Sequence, residues 1–156
     1  DKIQKAGIPK AQVIAKIGKL FLDFGIHAPT VAFPEVYGMM IEPTESFTQS
    51  ELDRFCDVVE KIHEILENHP EVLNTVPHFT PVDKVDEVLA NKNLILSEKI
   101  TTLETILPNR LHPKELFSMG VDDIAQMILR AHQEQSQKQQ RPNRPGISSQ
   151  TQSADL

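Results

Sequence analysis

Hydrophobic positions set the outline of this chain. Val13, Ile14, Ile17, Leu20, Phe21 and Phe24 recur at helical spacing and stop at Gly25. This predicts an amphipathic helix, with Pro9 at the first helical position and Gly25 as a left-handed C-cap. The extended stretch that follows is broken by Pro29 and Pro34, each lacking a backbone donor, so any strand here is short, irregular or at an edge. Short strands are predicted at 30–33 and 39–42, the second ended by Pro43. Thr48 followed by Glu51 forms a capping box and opens a helix that closes near residue 68 at "ENHP". Its inward face is predicted as Leu52, Phe55, Cys56, Val59, Ile62 and Leu66, with Glu51, Asp53, Asp57, Glu60, Lys61 and Glu64 solvated. After a proline-punctuated crossing, short helices are predicted at 83–90, 98–107, 113–119 and 122–133, with Gly120 capping the third. From Gln133 the sequence turns rich in Gln, Ser and Pro, with too little apolar side chain to offset ordering entropy, so it is expected to be disordered.

Composition narrows the function classes. Hydrophobic residues make up 39% of the 156, with no Trp and one Tyr, as expected for one domain with an aliphatic core. A formal charge of −6 argues against phosphate-backbone binding, which needs a basic face. No nucleic-acid partner is expected. The single cysteine, Cys56, cannot form an internal disulfide, consistent with a reducing compartment. No apolar run approaches the roughly 20 residues of a membrane span, so no membrane partner is expected. The chain reads as cytosolic, or as a mitochondrial matrix protein stripped of its address. It opens on Asp1 and enters a helical pattern almost at once, which predicts a fragment of something longer.

Candidate chemistry is sparse. His27, His63, His69, His78, His112 and His132 show neither HExxH spacing nor cysteine partners, so no metal site is predicted, and His63 reads as helix surface. Cys56 falls on the predicted apolar face between Leu52 and Val59 and reads as a buried core thiol rather than a nucleophile. Glu42 and Glu45 could converge across a Pro-Thr corner as an acid and base pair, although Glu45 can equally favour the following helix N-terminus. His27, just beyond the glycine cap and before Pro29, is placed to present an imidazole at a cleft; the plainer alternative is a histidine packed under a loop. No phosphate-binding glycine loop or GxSxG elbow occurs.

The segment "LFLDFGIHAPTVAFPEVYGMMIEPTESFTQSELDRFCDVVEKI" resembles the C-terminal part of the glycine-decarboxylating P-protein family of the glycine cleavage system. The resemblance rests on His27, Ala28, Pro29 and Thr30, on Met40 to Glu45, and on Glu51, Leu52, Asp53, Arg54 and Phe55. A second stretch, "VPHFTPVDKVDEVLANKNLIL", is similar to the corresponding region of the second, pyridoxal-phosphate-binding subunit of the bacterial two-subunit form. Pro77, His78, Thr80, Pro81, Val82, Asp86, Glu87 and Ala90 fit that pattern. Lys84 and Lys92 stand where arginines are expected and Leu94 where proline is, and lysine cannot reproduce a planar bidentate contact.

The resemblance implies an α+β fold, the C-terminal small domain of a fold-type I pyridoxal-phosphate-dependent enzyme, with a small sheet carrying helices on one face. It covers residues 1–96 as the small domain; beyond them 97–133 reads as a helical extension peculiar to this protein and, by composition, 134–156 as a disordered tail. It further implies glycine decarboxylation with transfer of the aminomethyl group to a lipoyl carrier protein. Pyridoxal phosphate would be bound mainly by a large domain absent here, and the full enzyme is expected to be oligomeric. The Schiff-base lysine of the family has no counterpart in this chain, because Lys16, Lys19, Lys61 and Lys84 lie in patterns that read as exposed. The chain alone should be inactive. His27, Thr30 and Glu42 are the implied site-proximal residues, at a corner facing the large domain. The rival reading is a non-catalytic interaction module derived from the small domain; an unrelated acidic helical adaptor is a further alternative.

Overall fold

A computed structural model describes residues 2–31, 38–80, 87–92 and 110–140. The described residues are mostly helical. In order they form α1 (Lys2–Lys5), α2 (Lys10–Asp23), β1 (Thr30–Val31), β2 (Met39–Met40), α3 (Gln49–Asn68), a 3-10 turn (Pro70–Asn74), α4 (Glu87–Lys92), α5 (Pro113–Ser118) and α6 (Val121–Gln140). The two strands pair antiparallel, Thr30 with Met40 and Val31 with Met39. The small sheet expected from 30–33 and 39–42 is thus a two-residue ribbon among the described residues. Phe33, Pro34, the stretch 81–86 with Lys84, the stretch 93–109 with Leu94 and the predicted helix 98–107, and residues 141–156 lie outside them.

Local chemistry explains where α2 stops. Gly25 has φ +75°, its N–H donates to the Leu22 carbonyl at 2.9 Å, and the Ile26 N–H donates to the Phe21 carbonyl at 3.2 Å. These two bonds are the Schellman arrangement, which satisfies carbonyls the helix itself leaves open. Pro9 is the N-cap of α2, one position before the helical start expected for it. Ile8 just before it and Val13 are both buried, the placement of a hydrophobic staple.

At α3, the Thr48 hydroxyl accepts from the Glu51 N–H, and the Glu51 carboxylate accepts from the Thr48 N–H at 2.8 Å. The Thr48 bonds hold the Glu51 carboxyl below its usual range. Replacing Thr48 with alanine is expected to remove about 1 kcal/mol of stability, read as a lower urea midpoint with unchanged slope.

The core is built from α2, α3, the 3-10 turn and α6, which pack on one another. Leu20, Phe21 and Phe24 of α2 meet Val58, Ile62 and Ile65 of α3, Val72 and Leu73 of the turn, and Leu116, Ile124 and Ile128 from the last two helices. The inward face of α3 is rotated from the one expected. Val58 and Ile65 are buried, whereas Cys56 is exposed and Val59 sits at the surface. Adjacent Val58 and Val59, and adjacent Ile65 and Leu66, each offer an apolar residue at either register, so spacing alone admits both. Long-range contacts decide. Val58 and Ile65 pack with Leu20, Phe24, Ile124 and Ile128 in the core, and Lys61 Nζ reaches Asp122 at the start of α6 at 2.8 Å.

Further expectations shift. Lys16, Lys19 and Lys61 are half-buried rather than exposed; Lys16 Nζ donates to the Leu73 carbonyl at 2.8 Å. Hydrogen bonds from Lys61 to Asp122 and Glu64 hold its ammonium above the usual lysine range. The helix expected to stop at Gln133 runs to Gln140. Gln, Glu and Lys are good helix formers, so a helix already nucleated on a packed face extends through them. Gly120 separates α5 from α6 without a left-handed conformation; Met119 is the α5 C-cap. Of the predicted helix 83–90, residues 87–90 are helical within α4, where Val88 is exposed, and 83–86 lie outside the described residues.

Candidate functional site

The glycine cap turns the chain out of α2 and back along it. Ala28 returns against the helix, its Cβ 3.4 Å from where a Cβ on Gly18 would lie. Phe21 stacks on Phe55 of α3 with ring centroids 6.0 Å apart, which ties this corner to the start of α3. Between the corner and α3 lies an open groove of about 420 Å³. It is lined by His27, Ala28, Pro29 and Thr30, by Met40 to Pro43, which run beside them through the Thr30–Met40 pairing, and by Leu52 and Phe55. All three sequence-predicted site residues, His27, Thr30 and Glu42, therefore line one groove. Each is exposed. Glu45 does not line it; it sits in the exposed stretch before α3, where the Thr44 and Ser46 hydroxyls bond each other at 2.6 Å.

Chemically the groove is apolar with a few polar groups on its walls. Met40 is 46%, Ile41 54% and Phe47 50% exposed, more than large apolar side chains beside one groove gain by facing water. His27 Nδ1 lies 2.9 Å from the Ala28 carbonyl, so a proton on Nδ1 is donated there and Nε2 is left as the acceptor. The prolines at 29 and 43 fix the backbone on both walls. Such a groove can orient a partner surface and offer an imidazole and a carboxylate to it. Cys56 is exposed on α3, and it does not line the groove. Among the described residues, no group of three or more His, Cys, Asp or Glu could hold a metal ion, and no helix is long and apolar enough to cross a membrane.

Two constellations behind the groove were not visible in the sequence. Asp23, fully buried, accepts from the N–H of His78 at 2.7 Å and of Phe79 at 2.9 Å, and its other oxygen lies 2.7 Å from His78 Nδ1. One carboxylate thus fixes the end of α2 onto a loop 55 residues away. A buried charge is tolerated because each of its oxygens has a strong donor. The second is Arg54. Its guanidinium donates to the carbonyls of Met119 at 2.9 Å, Leu116 at 3.0 Å and Phe24 at 3.5 Å, and lies 4.8 Å from the centroid of the Phe117 ring. Cations are favoured at helix C-termini, and here one cation serves the ends of both α2 and α5. Burial pulls the Arg54 pKa below its ordinary value, opposed by Asp57. The only local signals were an acid inside an apolar stripe at Asp23 and a basic residue beside Phe55.

Residues 3–78 match the family model described as glycine dehydrogenase, C-terminal domain. The chain is 44% identical over 86 residues to a protein of Pyrococcus abyssi named "Probable glycine dehydrogenase (decarboxylating) subunit 2", covering 54% of this chain and 17% of that one. Proteins of the same name from Chloroherpeton thalassium and Thermotoga petrophila are 44% identical over 92 residues and 46% identical over 78. Those matches cover 58% and 49% of this chain, but 19% and 16% of the relatives. The chain thus spans less than a fifth of the length of these relatives. No solved structure matches it. The matched stretch contains both walls of the groove, Asp23, Arg54 and His78, and with it residues 3–78 are placed in the glycine dehydrogenase C-terminal domain family.

Proposed function

We propose that this chain supplies the closing C-terminal domain of a glycine dehydrogenase (decarboxylating), whose groove at His27, Thr30 and Glu42 faces the rest of the enzyme. In this reading the whole enzyme decarboxylates glycine with pyridoxal phosphate and passes the aminomethyl group to a lipoyl carrier protein. The domain is the small one of a fold-type I architecture, and α5 and α6 belong to its core through Leu116, Ile124 and Ile128. The word "subunit" in the relatives' names supports a partner chain in the working enzyme.

The described residues do not by themselves fit the cofactor. A lysine that attacks its aldehyde must be desolvated and neutral. Lys61 is held as a cation by two carboxylates, and Lys16 is engaged with the Leu73 carbonyl. The cofactor is therefore assigned to the remainder of the enzyme. What this chain contributes is position: an apolar surface that excludes water on docking, with an imidazole and a carboxylate on the same groove.

The observation that carries the reading is that two separate sequence stretches, "HAPT" and "MIEP", pair at Thr30 and Met40 and together line one groove. His27→Ala and Glu42→Gln, each made in the full-length enzyme, are expected to slow aminomethyl transfer by about tenfold or more while leaving the thermal midpoint nearly unchanged. Both side chains are exposed, so little stability rests on them. Loss of fold with unchanged specific activity would defeat the assignment.

A further inference from the structure

Helix α3 is apolar over more of its circumference than its core contact uses. Val58, Ile62 and Ile65 are buried against α2, the 3-10 turn and α6. At about 100° per residue, Leu52, Phe55, Cys56 and Val59 fall on the neighbouring arc, which spacing alone also admits as an inward face. Leu52 and Phe55 are half-buried there, and Cys56 and Val59 are exposed. A helix on the surface of a domain needs one apolar stripe toward its core and polar residues elsewhere. A second stripe beside the first is built for a second contact.

This second face is continuous with the groove. Leu52 and Phe55 line the groove, and one helical turn further on they are followed by Cys56 and Val59. At the groove itself Met40, Ile41 and Phe47 stand exposed. Scattered exposed apolar side chains are ordinary, but these adjoin one another, and a contiguous patch marks a contact surface. Its border is acidic. Asp53, Asp57 and Glu60 occupy the next arc of α3, all exposed, so a surface that matches the face in charge brings Lys or Arg to that border. The stretch shared with the relatives is only 17% and 19% of their length, so most of each relative remains to cover it.

We propose that the face of α3 at Leu52, Phe55, Cys56 and Val59 extends the groove into one docking surface, covered in the whole enzyme by an apolar, basic-bordered surface of the same polypeptide. This rests on the reading of the chain as the closing domain of a glycine dehydrogenase. It adds where that contact runs and what chemistry meets it. The apolar company of Cys56 along α3 is then satisfied at the interface rather than in the core of this chain. Val59 holds the end of the contact farthest from the groove.

The test labels the native full-length enzyme with N-ethylmaleimide and follows each cysteine by peptide mapping, relative to the same enzyme unfolded in urea. Ile41→Cys supplies a second reporter inside the groove. Cys56 and the thiol at position 41 are both expected to react about tenfold or more slowly in the native enzyme, independently of enzyme concentration. Val59→Glu places a charge in the apolar face while Val58 and Ile62 keep the helix in the core, and is expected to restore Cys56 labelling several-fold. Protection is also expected to fall in about 1 M sodium chloride, which screens the charged border. A slow thiol at position 41 with a fast Cys56 overturns this inference and leaves the closing-domain reading standing; two fast thiols overturn both. Protection that fades on dilution means that a second copy or a separate protein covers the face, which overturns the assignment to the same polypeptide. Protection untouched by salt overturns the basic border. Should Val59→Glu fail to fold, the labelling of Cys56 in the unsubstituted enzyme decides.

Discussion

Asp23→Ala is expected to cost about 3–5 kcal/mol, enough to leave a small domain largely unfolded at 25 °C. The carboxylate is fully buried and accepts from the His78 and Phe79 N–H groups and from the His78 ring. Removing it strands three donors at once in a region from which water is excluded, and each lost partner costs its desolvation. Asp23→Asn should fall between, since the amide keeps one acceptor oxygen but turns a donor toward a donor. Urea unfolding followed by circular dichroism checks both. If the alanine variant lost less than about 1 kcal/mol, the network would not be what fastens α2 to the loop at 77–79.

The second large effect concerns Gly25. A Cβ there would lie 2.8 Å from the Phe117 nitrogen and 2.8 Å from the Pro113 carbonyl oxygen, on top of the cost of φ +75°. The conformational part alone is roughly 1–2 kcal/mol. The steric part cannot be relieved by a rotamer change, because both contacts are backbone atoms of or beside α5. Gly25→Ala is therefore expected to cost about 3 kcal/mol or more and to displace α5. Gly7 is the control, with φ +76° and nothing within 4 Å of its Cβ. Gly7→Ala should show only the conformational part. Thermal melts of the two variants read the difference directly, and equal losses would mean that α5 does not press on Gly25 in solution.

Gly25 also shows what the sequence can and cannot reveal. Its left-handed cap was legible, because a glycine ending an apolar helical stripe has a local cause. That the same glycine is the seat of α5 was not, because Pro113 and Phe117 are far along the chain. The capping box at Thr48 and Glu51 and the start of α5 at Pro113 were likewise written locally. The face of α3 was not: Val58 and Val59 are equivalent by spacing, and packing against residues distant in the chain selects Val58. The reading of Cys56 as a core thiol failed with that register. His27, Thr30 and Glu42 were named from flanking glycine and prolines and from resemblance, and they do line one groove. Asp23, His78 and Arg54 were passed over as site builders, since a buried polar residue announces itself only through a partner distant in sequence.

The most direct test of the account is native fractionation of a cell extract, following the "HAPTVAFPEV" peptide by mass spectrometry and glycine-dependent exchange of labelled bicarbonate in the same fractions. The account predicts that peptide and exchange activity elute together, with a pyridoxal-phosphate-carrying lysine peptide beside them. If the peptide elutes apart from the activity and from any pyridoxal-phosphate protein, the chain is not the closing domain of a glycine dehydrogenase.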